Sequence, residues 1–379
     1  MAEQTKVTTL EKVVVRFSGD SGDGMQLTGT IFSNLSAILG NDISTFPDFP
    51  AEIRAPQGTL SGVSGFQVHL GSRKIYTPGD KADVLVAMNP AALKVNVKNI
   101  KQNAIVIIDT DSFQKNDLTK ALFTTDEPFE ELGLTSAQVV AVPISTMVKD
   151  GLVEFELDNK SALRCKNMFS LGLVCWLFER PLEEAMHMLQ NKFAKKPAIV
   201  KANIKALTDG YNYGHNTHAT VSTYRIESTN VEPAFYTDVN GNKATSYGLI
   251  AAAEKANLRL FLGSYPITPA TDILHELAKR KDLGVITVQA EDEIAGVCTA
   301  IGASFAGCLA ATSTSGPGLA LKSEAIGLAV IAEIPLVVVD VQRGGPSTGM
   351  PTKSEQTDLM QALYGRNGES PAVVLAAST

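Results

Sequence analysis

The sequence has few cysteines and no long apolar segment, and both absences narrow what the protein can be. Only four cysteines occur in 379 residues. None forms a C-x-x-C pair, so the chain by itself offers no iron–sulfur or zinc ligand set, and we predict no metal site in it. The longest apolar run, 326–339, is broken by Glu333 and Pro335 and is too short to cross a membrane. Few cysteines and no signal-peptide pattern predict a cytoplasmic protein.

Positive charge is also scarce. The 33 lysines and arginines are outnumbered by 40 acidic residues, which gives a net charge of −7. Nucleic acid is therefore disfavoured as the main partner, because binding to phosphates needs a basic surface. The apolar fraction of 44% and the charged fraction of 19% are ordinary for a soluble α/β protein, and the length allows two or three domains.

Four apolar, strand-like runs occur in the second half of the chain, and each ends in a loop of polar residues and glycine. The runs are 259–262, 285–288, 308–312 and 336–341. Strand, polar loop and helix repeated about every 25 residues predict a parallel sheet with crossover helices. Ligands of such sheets bind at the carboxyl ends of the strands, so the four loops define a candidate site.

Two charged side chains follow these runs. Glu291 comes after the second run, where a carboxylate caps the next helix or is solvated unless it meets a partner such as an aminopyrimidine nitrogen. Arg343 comes after the fourth run. Its planar fork suits a substrate carboxylate, and the alternative is a structural pair with Asp340 or a solvated side chain. The loop 312–318 either allows close approach to a ligand ring or phosphate, or is a plain turn.

The first half of the chain begins with a strand, a glycine-rich turn and a helix. Val13–Phe17 is rich in β-branched residues, 18–24 reads Ser-Gly-Asp-Ser-Gly-Asp-Gly, and a helical pattern covers Met25–Leu39. A helix N-terminus after such a turn can bind phosphate. The alternative, which the spacing supports equally, is a tight turn in which an aspartate caps the helix.

The pattern downstream predicts further elements of the same α/β domain. We predict strands at 44–49, 58–71, 84–88, 104–109 and 139–144, the first two as a hairpin or insertion, and helices at 167–178, 183–192 and 199–209. Gly210 and Gly214 then indicate the end of the domain.

The chain is thus predicted to hold two α/β domains, 11–214 and 241–379, with a polar linker at 215–240. The second domain should begin with a helix at 246–256 and end on a strand at 372–375. A domain that ends on an edge strand suggests a missing continuation or a partner at that edge.

Six motifs, taken together and in order, carry a family resemblance. In the second half they are Tyr265-Pro266-Ile267-Thr268-Pro269, Glu291-Asp292-Glu293, Thr314–Gly318 and Gln342–Gly349, and in the first half Phe17–Gly24 and Asp48–Pro56. They resemble the 2-oxoacid:ferredoxin oxidoreductase family, most of all the α subunits of its 2-oxoglutarate branch, in which a γ domain is fused ahead of the α domain. The resemblance covers nearly the whole chain.

The resemblance implies a thiamine diphosphate enzyme whose cofactor site is shared by two subunits. A chain of this kind supplies the pyrimidine-binding half, and a β subunit supplies the diphosphate-binding half with Mg²⁺ and a [4Fe-4S] cluster. By this match Glu291 bonds the aminopyrimidine, Thr268 contacts the substrate and Arg343 meets the 2-oxoacid carboxylate. Glu291 is preferred to Glu293 because it is closer to the strand end. Cofactor contacts are also implied for Tyr265, Pro266, Ile267, Ser315 and Gly316.

The γ domain of the family is associated with coenzyme A, which implies contacts from Gly19, Asp20, Gly22 and Gly24. The implied reaction, a step of the tricarboxylic acid cycle, is oxidative decarboxylation of 2-oxoglutarate with CoA to succinyl-CoA, CO₂ and reduced ferredoxin, in an (αβ)₂ hetero-oligomer. Two alternatives stay open: a sister enzyme for pyruvate or branched-chain 2-oxoacids, and a non-catalytic CoA- or nucleotide-binding module. The second domain has no Gly-Asp-Gly…Asn metal–diphosphate motif, and the sequence stops before the further α/β domain of family α chains.

Overall fold

The computed structural model describes residues 6–51, 55–229, 232, 234–237, 239–346, 353, 355 and 358–377. Its internal contacts divide the chain into two compact units, Met1–Phe235 and Tyr236–Thr379. Each unit is built around its own β-sheet with helices packed against it, which confirms the predicted α/β class.

The first unit contains a six-stranded sheet and a small two-stranded sheet. Its strands are β1 Lys6–Thr9, β2 Lys12–Asp20, β3 Asp42–Asp48, β4 Val63–Gly71, β5 Ala82–Ala87, β6 Ile100–Asp109, β7 Gln138–Val142 and β8 Ser222–Arg225. The large sheet has the order β3-β4-β2-β5-β6-β7. Its strands β2, β5, β6 and β7 run parallel, whereas β3 and β4 form the predicted antiparallel pair at one edge.

Strand β2 shows why this sheet is buried on both faces. All of its residues except Lys12 are buried. Side chains alternate between the two faces of a strand, and here Val13 and Val15 enter one core while Val14 enters the other. A central strand covered on both sides therefore lacks a regular alternation of apolar and polar residues, as Val13-Val14-Val15 shows.

Helices cover both faces of the sheet. They are α1 Met25–Ile38, α2 Pro90–Asn96, α3 Lys115–Lys120, α4 Pro128–Glu131, α5 Ile144–Gly151, α6 Asn159–Leu163, α7 Lys166–Leu177, α8 Glu183–Lys192 and α9 Pro197–Thr217. Side chains of α1, α7 and α9 contribute to one core, and side chains of α2 and α3 contribute to the other.

Helix α9 runs through the glycines that were predicted to end the domain. A Cβ on Gly210 would lie 1.9 Å from the carbonyl oxygen of Phe169, and a Cβ on Gly214 would lie 2.4 Å from the ring of Trp176. Both neighbours belong to α7. The two glycines therefore let α9 press directly against α7, and their role within this helix is packing rather than termination.

The predicted linker at 215–240 also contains regular structure. Strand β8 lies inside it and pairs in parallel with β1, with Ser222 opposite Lys6. The side chain of Asn41 donates to the carbonyl oxygen of Glu227 over 2.7 Å. Residues 222–229 thus pack with the first unit, and the polar composition of the segment had concealed a strand.

The second unit holds a four-stranded sheet. Its elements are α10 Gly241–Ala256, β9 Leu260–Ser264, α11 Thr271–Ala278, β10 Ile286–Gln289, α12 Glu293–Phe305, β11 Leu309–Thr314, α13 Gly316–Ile331, β12 Val337–Asp340 and α14 Leu359–Tyr364. The strand order is β10-β9-β11-β12, and every neighbouring pair is parallel. The predicted parallel sheet with crossover helices is therefore confirmed.

The strand predicted at 372–375 does not form. Residues 371–377 adopt neither helix nor strand, and Val373 and Leu375 are each 89% exposed. An apolar run becomes a strand only where a neighbouring strand accepts its backbone hydrogen bonds, and no strand in the described part of the chain does so here.

Candidate functional site

The sheet of the second unit has a topological switch point between β9 and β11. The chain passes from β9 through α11 to β10 on one side, and then through α12 to β11 on the other side of β9. Such a reversal leaves a crevice at the carboxyl ends of the two strands, which is the usual ligand site of an open parallel sheet. The loop 265–270 and the N-terminus of α13 border this crevice.

Hydrogen bonds hold the strand ends beside the crevice. The Ser264 hydroxyl lies 2.8 Å from both the carbonyl oxygen and the hydroxyl of Ser313. Beyond the last residues of β10 and β12, the amide of Ala290 donates to Ser264 and the amide of Val341 donates to Thr314, each over 2.9 Å. The loops that follow therefore start from fixed positions.

The structure brings two of the predicted site residues together. Arg343 Nη1 donates to the carbonyl oxygen of Thr268 over 2.9 Å. Arg343 is only 8% exposed. Burial lowers the pKa of its guanidinium, and the negative charge of Glu293 partly opposes that shift. The arginine is thus a fixed cation beside the loop that follows β9.

The other predicted residues of that loop differ in exposure. Tyr265 is 37% exposed, Pro266 is half-buried and Ile267 is 9% exposed. Ile267 anchors the loop, whereas Tyr265 and Thr268 are both exposed and can be reached by a ligand.

The three adjacent acidic residues after β10 lie in three different environments. Glu291 is exposed. Asp292 is the N-cap of α12 and accepts a hydrogen bond from the amide of Ala295 over 2.7 Å, the role expected of a carboxylate at a helix start. Glu293 is half-buried, and its Cγ lies 2.9 Å from where a Cβ on Gly318 would be. Glu293 is therefore the acidic residue that contacts the first turn of α13.

The start of α13 carries polar atoms that the protein itself does not satisfy. The hydroxyls of Thr312 and Ser315 are buried and have no hydrogen-bond partner. A Cβ on Gly316 would lie 2.8 Å from a carboxylate oxygen of Asp358, so the backbone is closely packed there. Buried hydroxyls of this kind call for water or a ligand.

A carboxyl pair beside the crevice was not predicted. Asp340 at the end of β12 meets Asp358, which also accepts a hydrogen bond from the Gln342 side chain. Burial, followed by the hydrogen bond to Asp358 and its negative charge, raises the pKa of Asp340 to about 7. The two residues are distant in sequence, and no local pattern indicates their meeting.

A buried lysine was also missed. Lys322 of α13 is 0% exposed, and its ammonium donates to the carbonyl oxygen of Glu293 over 2.7 Å. Burial lowers the pKa of Lys322 to about 8, against the opposing charges of Glu293, Asp292 and Cys298. The sequence contains one indication of this position: Lys322 follows Gly318 by four residues and therefore lies on the same face of the helix.

In the glycine-rich loop of the first unit, carboxylates of the protein itself accept hydrogen bonds from backbone amides. The side chain of Asp23 accepts from the amide of Asp20 over 3.0 Å and lies 3.2 Å from the ammonium of Lys166. The side chain of Asp20 accepts from the amide of Gly58 over 3.0 Å. Burial, then the charge of Asp23, raises the pKa of Asp20. The Asp20 amide is therefore not available to a phosphate.

The remaining glycines of this loop have different roles. A Cβ on Gly19 would lie 2.8 Å from a carboxylate oxygen of Asp23, whereas one on Gly22 would meet nothing within 4 Å. Gly24 is the N-cap of α1 in a left-handed conformation with φ 75°, and no side chain caps that helix. The aspartate cap that the sequence suggested is thus wrong, because Asp23 bonds backwards to Asp20 instead.

The cysteines and part of the predicted motifs lie outside these two loops. Cys165 and Cys175 are buried, which raises their pKa values to about 11 and about 12, whereas Cys298 is exposed. The motif residues Ser347, Thr348 and Gly349, and the range 52–54, lie outside the described residues.

Within the described ranges, no group of three or more His, Cys, Asp or Glu side chains could hold a metal ion. No helix in that part of the chain is both long and apolar enough for a membrane span.

Two family models match the chain, one in each unit. The model described as "Pyruvate ferredoxin/flavodoxin oxidoreductase" matches residues 14–213. The model described as "Pyruvate flavodoxin/ferredoxin oxidoreductase, thiamine diP-bdg" matches residues 251–379 and so includes the crevice. The chain belongs to the pyruvate ferredoxin/flavodoxin oxidoreductase family.

Two relatives of the chain are named as 2-oxoglutarate oxidoreductase or synthase subunits. The chain is 53% identical to the 2-oxoglutarate oxidoreductase subunit KorA of Mycobacterium tuberculosis, over 97% of this chain and 56% of the relative. It is 47% identical to the 2-oxoglutarate synthase subunit KorA of Archaeoglobus fulgidus, over 36% of this chain and 39% of the relative.

A solved structure is similar over both units. It is the 2-oxoglutarate:ferredoxin oxidoreductase from Magnetococcus marinus with 2-oxoglutarate, coenzyme A and succinyl-CoA bound, with 34% identity and a TM-score of 0.75. The match covers 96% of this chain and 57% of that one. The chain thus spans about half the length of the relatives that it matches along its whole extent.

Proposed function

We propose that this chain is the α-type part of a thiamine diphosphate-dependent 2-oxoglutarate:ferredoxin oxidoreductase, with a γ-type unit ahead of a pyrimidine-binding unit. The observation that carries the proposal is the 53% identity to a 2-oxoglutarate oxidoreductase subunit over 97% of this chain, across both units. The proposed reaction converts 2-oxoglutarate and CoA to succinyl-CoA and CO₂ and passes electrons to ferredoxin.

The crevice fits the pyrimidine half of thiamine diphosphate. An aminopyrimidine needs a carboxyl partner at one nitrogen and polar contacts at its edge. Glu293 supplies a half-buried carboxyl beside Gly318, and Ser315 supplies a buried hydroxyl without a protein partner. The bound cofactor would supply the nucleophilic carbon that takes up the 2-oxoacid carbonyl group.

Glu293, rather than Glu291, is proposed to bond the aminopyrimidine. The exposed Glu291 lies before the N-cap, where its side chain has solvent around it. Glu293 begins α12, contacts the first turn of α13 and acts electrostatically on both Lys322 and Arg343. Its task is to hold and move a proton at the pyrimidine nitrogen.

Arg343 and Thr268 are proposed to position the substrate. Arg343 is buried, and its Nη1 donates to the backbone carbonyl of Thr268, which helps to define the position of its guanidinium. A defined guanidinium can bind a carboxylate through two parallel hydrogen bonds. Tyr265, an exposed member of the same loop, is proposed to close this side of the crevice.

The first unit is proposed to contribute to CoA binding, but not through the amide of Asp20. That amide already donates to Asp23, and the buried carboxylates around it would repel a phosphate. The uncapped N-terminus of α1, after Gly24, is the part of the loop with amides that no side chain satisfies.

The proposed assembly includes a β subunit with the diphosphate half-site, Mg²⁺ and a [4Fe-4S] cluster, in a cytoplasmic (αβ)₂ complex. Apolar side chains on the exposed faces of α12 and α13 support a partner at this unit. They are Ile294, Phe305, Leu321, Leu328 and Ile331, which are 49%, 83%, 52%, 55% and 77% exposed.

Reconstitution with a β subunit tests the function. The complex should reduce ferredoxin with 2-oxoglutarate and CoA at a higher kcat/KM than with pyruvate or a branched-chain 2-oxoacid. Preference for one of the latter substrates would identify a sister enzyme. A complex that binds CoA but neither retains thiamine diphosphate nor turns over any 2-oxoacid would contradict the enzyme and favour a CoA-binding module.

A further inference from the structure

Lys322 is a fully buried ammonium that the proposed reaction does not yet use. A lysine is rarely buried completely, because removing its charge from water is costly unless a partner compensates. Its side chain crosses from α13 to α12, where Nζ donates to the carbonyl oxygen of Glu293 over 2.7 Å. Glu293 is also the residue proposed to bond the cofactor.

Two residues on one face of α13, Gly318 and Lys322, adjoin different parts of Glu293. Gly318 lies one turn before Lys322 on the same face. A Cβ on Gly318 would come within 2.9 Å of Glu293 Cγ and 2.0 Å of Thr314 Oγ1, so the side chain of Glu293 occupies the space that the glycine leaves. Gly318 therefore makes room for the side chain, and Lys322 binds the backbone of the same residue.

Charged groups lie close together at this contact. The groups that act on Lys322 are Glu293, Asp292 and Cys298, all on or next to the start of α12. Glu293 also acts on the guanidinium of Arg343. Opposite charges attract more strongly where water is excluded, so these interactions add to the hydrogen bond that joins α13 to the start of α12.

We infer that Lys322 is a positioning residue for Glu293: its ammonium binds the Glu293 carbonyl oxygen and fixes the start of α12 against α13. This inference deepens the proposed function, since the importance of the contact for the reaction rests on the role proposed for Glu293. The contact itself belongs to the chain and can be tested without cofactor.

Amide hydrogen exchange tests the inference in the complete chain. Lys322→Met removes the donor to the Glu293 carbonyl oxygen, and it should speed exchange at the amides of the first two turns of α12 about tenfold. Lys322→Arg should stay near wild type, as should the control Lys281→Gln at an exposed position. Unchanged exchange in a folded Lys322→Met protein overturns the inference.

A second measurement covers the case in which Lys322→Met does not fold. The charge of Glu293 acts on Lys322, so Glu293→Gln should lower the midpoint of Lys322, followed by NMR of selectively labelled lysine Nζ. An unmoved Lys322 midpoint also overturns the inference. In the reconstituted complex, Lys322→Met should slow proton exchange at the thiazolium carbon of thiamine diphosphate, and Lys322→Arg should restore it. If the wild-type complex shows no exchange at all, the proposed function fails while both measurements on the chain still decide the role of Lys322.

Discussion

Glu293 and Glu291 differ in their surroundings, and the difference makes opposite predictions for the same substitution. Glu293→Gln should slow proton exchange at the thiazolium carbon of thiamine diphosphate about 10²- to 10⁴-fold in the reconstituted complex, because glutamine cannot carry the proton. Glu291→Gln, at an exposed position, is the matched control and should change the rate less than about twofold. Strong loss in Glu291→Gln with normal exchange in Glu293→Gln would restore the assignment made from the sequence.

Arg343 offers a second test of single side chains. Arg343→Lys keeps the charge but loses the bidentate fork, so substrate use should suffer while cofactor affinity is retained. A hydrogen bond to a charged group contributes about 1.5–3 kcal/mol, which predicts a fall in kcat/KM of roughly ten- to a hundredfold. Steady-state kinetics with 2-oxoglutarate and calorimetry with the cofactor measure the two effects. An undiminished kcat/KM would remove Arg343 from the substrate site.

The sequence predicted some of these residues better than others for physical reasons. Thr268 and Arg343 lie in loops after strands, and parallel-sheet topology brings such loops together whatever their details. The choice between Glu291 and Glu293 depended on which of three adjacent carboxylates caps α12, and distance to the strand end does not determine this. Lys322 was missed because a lysine in a helix is normally solvated, and its burial depends on a contact with another helix.

Among the helices, the crossing of α7 and α9 depends on glycine. A Cβ on Gly210 would overlap the backbone of Phe169, which cannot rotate away as a side chain can. Gly210→Ala should therefore destabilise the first unit by about 1–3 kcal/mol despite the better helix propensity of alanine. Gly248→Ala in α10 is the control, because a Cβ there would meet nothing within 4 Å. Thermal unfolding should show a clear fall for the first variant and little change for the second; equal midpoints would mean that the helices can separate freely.

The stability of the contact between Asp340 at the end of β12 and Asp358 at the start of α14 should depend on pH. The folded pKa of Asp340 is raised from 3.8 to about 7, so the folded chain holds this proton more tightly than the unfolded chain. The associated stability is fully present below about pH 4 and is lost as the pH rises towards 7. Asp340→Asn mimics the protonated state, so it should match wild type near pH 4 and be more stable near pH 8.

Differential melting curves of wild type, Asp340→Asn and the exposed control Asp282→Asn separate this effect from other titrations. If the Asp340→Asn difference is the same at pH 4 and pH 8, Asp340 does not share a proton with Asp358.

Over the whole chain, sequence periodicity predicted most strands and helices. The buried parallel strand β6 contains the continuous apolar run Ala104–Ile108, which is easily recognised. Gly210 and Gly214 look like terminators in the sequence because their neighbours on α7 are unknown there. The strand at 372–375 was over-predicted for a related reason, since apolar residues alone do not provide a strand to pair with.

The proposed division of the cofactor site between two subunits gives the last prediction. The crevice offers groups for a pyrimidine ring, namely Glu293 and Ser315, but the described residues contain no cluster of three or more metal-binding side chains. A diphosphate bound through Mg²⁺ needs such ligands, and a flexible cofactor held at one end only gains little affinity beyond its ordering cost.

This chain alone, with Mg²⁺, should therefore bind thiamine diphosphate weakly, with a Kd above about 10 μM, whereas the complex with a β subunit should bind it in the nanomolar to low micromolar range. Calorimetry on the chain and on the reconstituted complex makes the comparison, and Glu293→Gln in the complex should weaken binding by less than loss of the β subunit does. Submicromolar binding by the chain alone would contradict the shared site, because it would require a complete diphosphate site within these 379 residues.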